Sequence, residues 1–334
     1  MLIADAHLDL AYNALRGREV LQPAAQQTAD HEGIPSVGLP DLRRGNIGLI
    51  CATIFCEPEN RNTGKGYRTA DDAHAMALAQ YDWYSNRASE NQFRFITRPS
   101  DLPKPDAPAA SAIPMILLLE GADAFRTPAD VPTWFDRGLR IVGLAWRQTR
   151  MAGGTGAPGP LTSEGRDIVR ALDAVHVIHD TSHLAEESFW QLLEMSDGPI
   201  MASHSNCRSI VPTDRQLSDE MIRAIVKRNG VIGINFYDKF LLPPDQYKTR
   251  RAQFSDLLRH INHICDIAGN RNHVAIGTDM DGGFGRDQIP QEIKTSADLP
   301  LFADYLSKAG FGDGDVRGIM GANWVSFFQK SLPT

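Results

Sequence analysis

Short apolar runs rich in β-branched residues recur along the chain at residues 2–6, 47–55, 113–119, 139–145, 175–180, 199–202, 231–236 and 274–277. Each has the length of one buried strand. Most of the intervals between them carry apolar positions at helical spacing, at 70–90, 164–174, 186–196, 219–229 and 251–268. Thr162 or Ser163 before Glu164, and Ser218 before Asp219 and Glu220, are helix-start signals. Strands alternating with helices predict βαβ units and a parallel sheet, and eight of them close most economically as a (β/α)₈ TIM barrel. The rival is an open, doubly wound sheet. It would be expected to carry a glycine-rich nucleotide turn after a strand; the nearest match, Gly153-Gly154-Thr155-Gly156, runs into a proline-containing loop instead. Segments 57–65 and 98–108 read as surface connections.

Length and composition narrow the class. At 334 residues the chain fits one barrel, so residues 1–334 are expected to form a single catalytic domain. It is 42% hydrophobic and 22% charged with a net charge of -7, and no lysine- and arginine-rich stripe offers a face for nucleic acid. No run approaches the roughly 20 apolar residues of a membrane helix. Residues 1–7 lack the pattern of a secretory signal, so a cytoplasmic protein without a membrane anchor is expected. Cys51, Cys56, Cys207 and Cys265 lack the spacing of a zinc ribbon or a disulfide scaffold and read as reduced, mostly buried thiols.

The chemistry-bearing residues gather where the runs end, which is where barrel enzymes place their sites. The first run leads into His7 and Asp9, which period-2 alternation puts on one side to meet a cation. The third ends in Glu120-Gly121, a carboxylate able to bridge two metals beside a glycine that permits close approach. The fifth and sixth lead to His183 and His204, and the eighth leads to Asp279-Met280-Asp281, offering a carboxylate that need not be a ligand and would suit general-base work. Each alone has a plainer explanation: a hydrogen-bonded structural histidine, a solvent-facing acid, a turn or a helix cap. Burying all of them together unpaired would be costly, so jointly they point to a metal site. His74, His260 and His263 fall in helical patterns, His31 and His273 in or beside loops, and His176 and His179 in a strand; no chemistry is assigned to them.

Taken together, Asp5-Ala6-His7-Leu8-Asp9, Glu120-Gly121, Asp180-Thr181-Ser182-His183, Ser203-His204-Ser205-Asn206 and Gly277-Thr278-Asp279-Met280-Asp281-Gly282 resemble the membrane (renal) dipeptidase family of the amidohydrolase superfamily. Leu39-Pro40-Asp41-Leu42, Leu161-Thr162-Ser163-Glu164-Gly165, Gly233-Ile234-Asn235-Phe236-Tyr237 and Gly321-Ala322-Asn323-Trp324 extend the likeness over nearly the whole chain. The resemblance implies a metallopeptidase with two zinc ions, one held by His7 and Asp9, the other by His183 and His204, with Glu120 between them. It implies Asp279 as the acid/base residue, a hydroxide shared by the ions as nucleophile, and a dipeptide as substrate, with a D-residue accepted at its C-terminal position. It also implies that Arg215 meets the substrate carboxylate, for which a helix-flanking salt bridge is the competing role. Asn235 and Tyr237 are expected at the rim, with barrel filling as their alternative. A homodimer is suggested by likeness alone.

One position departs from the family pattern. Well-known members carry a histidine after the fourth strand, where Gly143-Leu144-Ala145-Trp146-Arg147-Gln148 places Trp146, expected here to line the pocket. The rival activities are hydrolysis of another small amide, an N-acyl amino acid or an ester, and metal binding without catalysis. Related sites bridged by a carboxylated lysine are disfavoured, because residues 139–148 contain no lysine. The same ligands accept zinc, manganese, iron or cobalt.

Overall fold

The expected alternation of strands and helices is present in the computed structural model, which describes residues 1–59, 65–104 and 111–334. The connections expected at 57–65 and 98–108 fall partly outside those residues. The strands are β1 (Ile3–Leu8), β2 (Ile47–Phe55), β3 (Phe93–Phe95), β4 (Ile113–Glu120), β5 (Leu139–Gly143), β6 (Ile178–Asp180), β7 (Ile200–Met201), β8 (Ile232–Ile234) and β9 (Val274–Ile276). β1, β2 and β4 are buried along their whole length, which explains why their sequences read as continuous apolar runs: a parallel sheet is covered on both faces. β3 was not expected from the sequence. With three residues it is shorter than any window in which period 2 can be recognised.

All ladders are parallel, in the order β1-β2-β4-β5-β6-β7 with β3 beside β4, while β8 and β9 form a second ladder. A single parallel bridge, Ala202 to Ile232, leads from the end of β7 to β8. The expectation of a closed eight-stranded barrel is therefore met more coarsely, as an α/β fold whose parallel sheet curls but stays open. At the seam between β9 and β1 a side chain does what a ladder would do. The Asp5 carboxylate accepts from Thr278 N at 2.8 Å and from Thr278 Oγ1 at 2.5 Å.

The helices begin where capping side chains allow. Thr162 Oγ1 accepts from Gly165 N ahead of Ser163–Ala174, and Ser218 Oγ from Met221 N ahead of Asp219–Lys227. Two apolar clusters result. The larger packs the helices on the sheet, and the smaller holds Ile116, Leu118, Ile141, Ile178, Met201 and Ala275 around Trp324, whose indole N–H donates to Ile276 O at 2.8 Å. By strand alternation Glu120 continues the face of Ile116 and Leu118, and Asp180 that of Ile178. Polar chemistry thus begins where that apolar filling ends. Cys51, Cys56 and Cys207 are buried, Cys265 is partly buried, and all four are free thiols. Among the described residues no helix is long and apolar enough to cross a membrane.

Candidate metal centre

His7, Asp9, Glu120, His183, His204 and Asp279 come from distant parts of the chain and meet at the C-terminal ends of β1, β4, β6, β7 and β9. Ligand atoms of three sets lie within 4.8 Å of one another: His7, Asp9 and Glu120; Glu120, His183 and His204; His7, His204 and Asp279. Glu120 turns one oxygen to each of the first two sets. Its Oε2 is 3.7 Å from His7 Nε2, and its Oε1 is 3.3 Å from His183 Nε2 and 3.4 Å from His204 Nε2. Asp9 Oδ2 lies 3.6 Å from His7 Nε2, while the two Nε2 atoms of His183 and His204 face each other at 3.0 Å.

Burial makes this arrangement demanding. His7 Nε2, Asp9 Oδ1 and Glu120 Oε1 are buried without a hydrogen-bond partner, and each such orphan costs roughly 1–3 kcal/mol. Atoms left bare at such a cost and aimed at common points are what a cation would satisfy. Two imidazoles and a shared carboxylate on one side, and an imidazole with two carboxylates on the other, are donor sets that suit a borderline divalent ion. The residues present therefore fit the metals implied by the resemblance.

The electrostatics follow from the same crowding. Burial works against a charge on His7, but the Glu120 and Asp9 carboxylates outweigh it and hold the imidazole well above its usual range. Burial pushes Glu120 up, with His7 opposing. Burial, with Arg215 and His7 adding to it, drives His183 and His204 well below the usual imidazole range. Asp279 is held well above the carboxylate range, first by burial and then by Asp9 and Glu120, against the pull of His7.

Beyond these six the structure sorts the remaining residues. Trp146 and Tyr237 line a cavity of about 450 Å³ that opens onto the ligand atoms, together with Tyr12, Phe55, Phe240 and Phe284. Trp146 stands 5.2 Å from Phe55 and 6.3 Å from His183, ring to ring. Asn235, expected at the rim, is instead fully buried. Its Nδ2 donates to Asp279 Oδ2 at 2.8 Å while its own N–H donates to Asn206 Oδ1, so it steadies the acid from behind. Arg215 is also buried and is not among the residues lining the cavity. It donates to Ser205 Oγ and His204 O and packs under Phe240. The salt bridge weighed as its competing role is absent among the described residues, and its Nε has no partner. His176 adopts a turn rather than a strand, and His179 is bound to Asp173 away from the cavity.

Asp281 and three residues given no role from the sequence, Asp5, Asp180 and Ser203, support the site. Asp5 bonds Thr278. Asp281 accepts from Ser36 N, Ser36 Oγ and Val37 N and lies 3.4 Å from Arg18, tying the 18–37 loop to the Asp279 turn. Asp180 and Ser203 lie beneath the histidines. All four stand inside the motifs quoted above, but pairing over such separations leaves no local signal.

Residues 1–331 match the profile of the membrane dipeptidase family, peptidase family M19. An uncharacterized dipeptidase of Schizosaccharomyces pombe is 27% identical over 301 residues, 87% of this chain and 72% of that protein. An uncharacterized protein from the pqqA 5′ region of Klebsiella pneumoniae is 30% identical over 226 residues, 65% of this chain and 81% of that one. Among solved structures, dipeptidase AC, a metallopeptidase of family M19, superposes with a TM-score of 0.84 at 25% identity, covering 100% of this chain and 99% of the other. A metallopeptidase from Rhodobacter sphaeroides, liganded with a phosphinate mimic of L-Ala-D-Ala, matches in fold with a TM-score of 0.84 at 24% identity over 99% of each chain.

Proposed function

The chain belongs to the membrane dipeptidase family, peptidase family M19, and is a metallo-dipeptidase by that membership; from the geometry of its site we propose that it works with two divalent ions, zinc by preference. In this reading His7 and Asp9 would hold one ion, His183 and His204 the other, and Glu120 would be shared between them. The observation that carries it is the pair of Glu120 oxygens facing separate ligand sets, beside buried ligand atoms that nothing in the chain satisfies. We further infer that residues 1–334 act as one catalytic domain and that the Asp5 to Thr278 contact closes the curled sheet into a working barrel.

A divalent pair held there would supply a water of lowered pKa, toward about 7, and a Lewis acid for a carbonyl oxygen. The protein's own part is to place groups around that chemistry. Asp279, raised by burial, accepts the proton of the attacking water and delivers it to the departing amine. Asn235 holds the carboxylate in place for both transfers. Arg215, a cation buried behind Phe240, is suited to favour a substrate carboxylate at that wall through its charge rather than through direct contact. The aromatic walls exclude bulk water and accept apolar side chains.

Dipeptides screened with and without chelator, including some with a D-residue at the C-terminal position, test the activity; absence of turnover with any of them after zinc loading refutes it. The aromatic lining adds a prediction on selectivity. Trp146→Ala should lower kcat/KM for dipeptides with large apolar side chains about 10- to 100-fold more than for glycine-containing ones, the usual value of one hydrophobic contact. An unchanged ratio between the two substrate classes would remove Trp146 from the pocket wall.

A second prediction concerns protons. The Glu120 and Asp9 carboxylates favour a proton on His7 in the metal-free protein, whereas a ligand must be bare. Metal uptake at pH 7 should therefore release protons, and affinity should rise with pH, by about tenfold per unit for each proton released. Titration calorimetry in two buffers of different ionisation enthalpy reads this directly; equal heats in both buffers contradict it.

A further inference from the structure

Ser203 Oγ sits at the centre of a buried cluster, 2.5 Å from Asp180 Oδ2, 2.7 Å from His204 Nδ1 and 3.2 Å from His7 Nδ1. A hydroxyl has one proton and two lone pairs, so these three nearer partners exhaust it, with Ser182 Oγ farther off at 3.4 Å. We propose that Ser203, held by Asp180, is a positioning residue that fixes both His7 and His204 with the proton on Nδ1 and Nε2 turned to the metals, one hydroxyl preparing a ligand for each of the two ions. The proposal rests on the dinuclear reading above.

The direction of the bonds follows from the other end of the chain of contacts. Asp180 Oδ1 accepts from Ser182 N at 3.0 Å and from Ser203 N at 2.8 Å, which locks the carboxylate and leaves Oδ2 to take the serine proton. Both lone pairs of Ser203 then face ring nitrogens, and each ring must answer with an N–H. The partner of one ring nitrogen decides what the other offers a metal. The two rings are also packed together, their centroids 3.7 Å apart, so one hydroxyl can serve both.

The backbone holds Ser203 where this requires. Its carbonyl passes so close to Gly233 and Gly277 that a Cβ would come within 2.0 Å and 1.8 Å of the oxygen. Ser203 is fully buried, and His204 is secured besides by its N–H to Ser182 Oγ at 3.0 Å.

Asp180→Asn tests the polarity of the relay with almost no change of shape. The two backbone donors keep the amide oxygen at the Oδ1 position, so the amide NH₂ must face Ser203 and donate to it. The serine proton is displaced toward the nearer ring, His204, which must then carry its own proton on Nε2. Nitrogen-15 shifts of histidine-labelled, metal-free protein should show Nδ1–H on His204 in the wild type and Nε2–H in D180N. Titration with Zn²⁺ should show one of two equivalents bound about 10- to 100-fold more weakly in the variant. Ser203→Ala, which removes the acceptor outright, should weaken zinc binding in the same range and decides the matter if D180N does not fold. A D180N protein with His204 still Nδ1–H and wild-type zinc affinity overturns the proposal, as does S203A with wild-type affinity. A wild type that takes up no zinc refutes the dinuclear reading instead, while the tautomer change in the metal-free protein tests the relay by itself.

Discussion

Asp279→Asn should lower kcat for dipeptide hydrolysis by about 10²- to 10⁴-fold, the usual contribution of a positioned acid/base group, while leaving metal content at the wild-type level. The reason is a division of labour among carboxylates crowded into one buried site. Glu120 and Asp9 present oxygens with no hydrogen-bond partner, as ligands awaiting a cation would. Asp279 Oδ2 is already engaged by Asn235 Nδ2. Burial and the neighbouring acids also raise Asp279's affinity for a proton, as a group that must take up a proton and return it requires. The Asn variant keeps the volume and accepts from Asn235 but cannot carry the proton. Since Asp279 also lies within ligand reach of His7 and His204, the experiment needs two readouts, turnover and metal analysis. Loss of metal from the variant would make Asp279 a ligand, and wild-type turnover would strip it of any role in proton transfer.

Glu120→Gln should have the second large effect, on the metals themselves. A carboxylate can satisfy two ions at once because its two oxygens are equivalent; an amide offers one oxygen and turns two N–H donors toward the other site. On the two-ion reading, metal content should fall from two per chain to one or fewer, with hydrolysis falling along with it. Thermal unfolding supplies a readout independent of activity. An ion at about a thousand times its dissociation constant stabilises the folded state by about 4 kcal/mol, so the wild type should gain stability on adding zinc and E120Q should gain much less. Equal gains in the two proteins would remove Glu120 from the ligand set.

Much of the site was legible before any coordinates. His7, Asp9, Glu120, His183, His204 and Asp279 stand at the ends of apolar runs, and in a sheet of parallel strands those ends converge. What stayed hidden were the contacts between those ends. His7 and Ser203 are 196 positions apart and Asp5 and Thr278 are 273 apart, separations over which periodicity carries no information. Asn235 was expected at the rim, with barrel filling as its alternative, and Arg215 at the substrate carboxylate or in a helix-flanking salt bridge. The structure buries both, because a polar side chain beneath the surface goes wherever a partner can satisfy it. His183 and Asp279 have left-handed backbone, with φ of 65° and 58°, a conformation that Asp and His tolerate better than most residues but that no periodicity in the sequence announces.

Amino-acid order alone determined the alternation of strands and helices, the helix starts at Thr162 or Ser163 and at Ser218, and the residue types available at the strand ends, since these depend on neighbours a few positions away. Tertiary structure decided the rest: that the sheet curls yet leaves a seam bridged by Asp5, that the two Glu120 oxygens face different ligand sets, and that one serine serves two histidines. The physical reason is burial. Out of water every polar atom must find its partner in space, and which partner is within reach is settled only when the strands have packed.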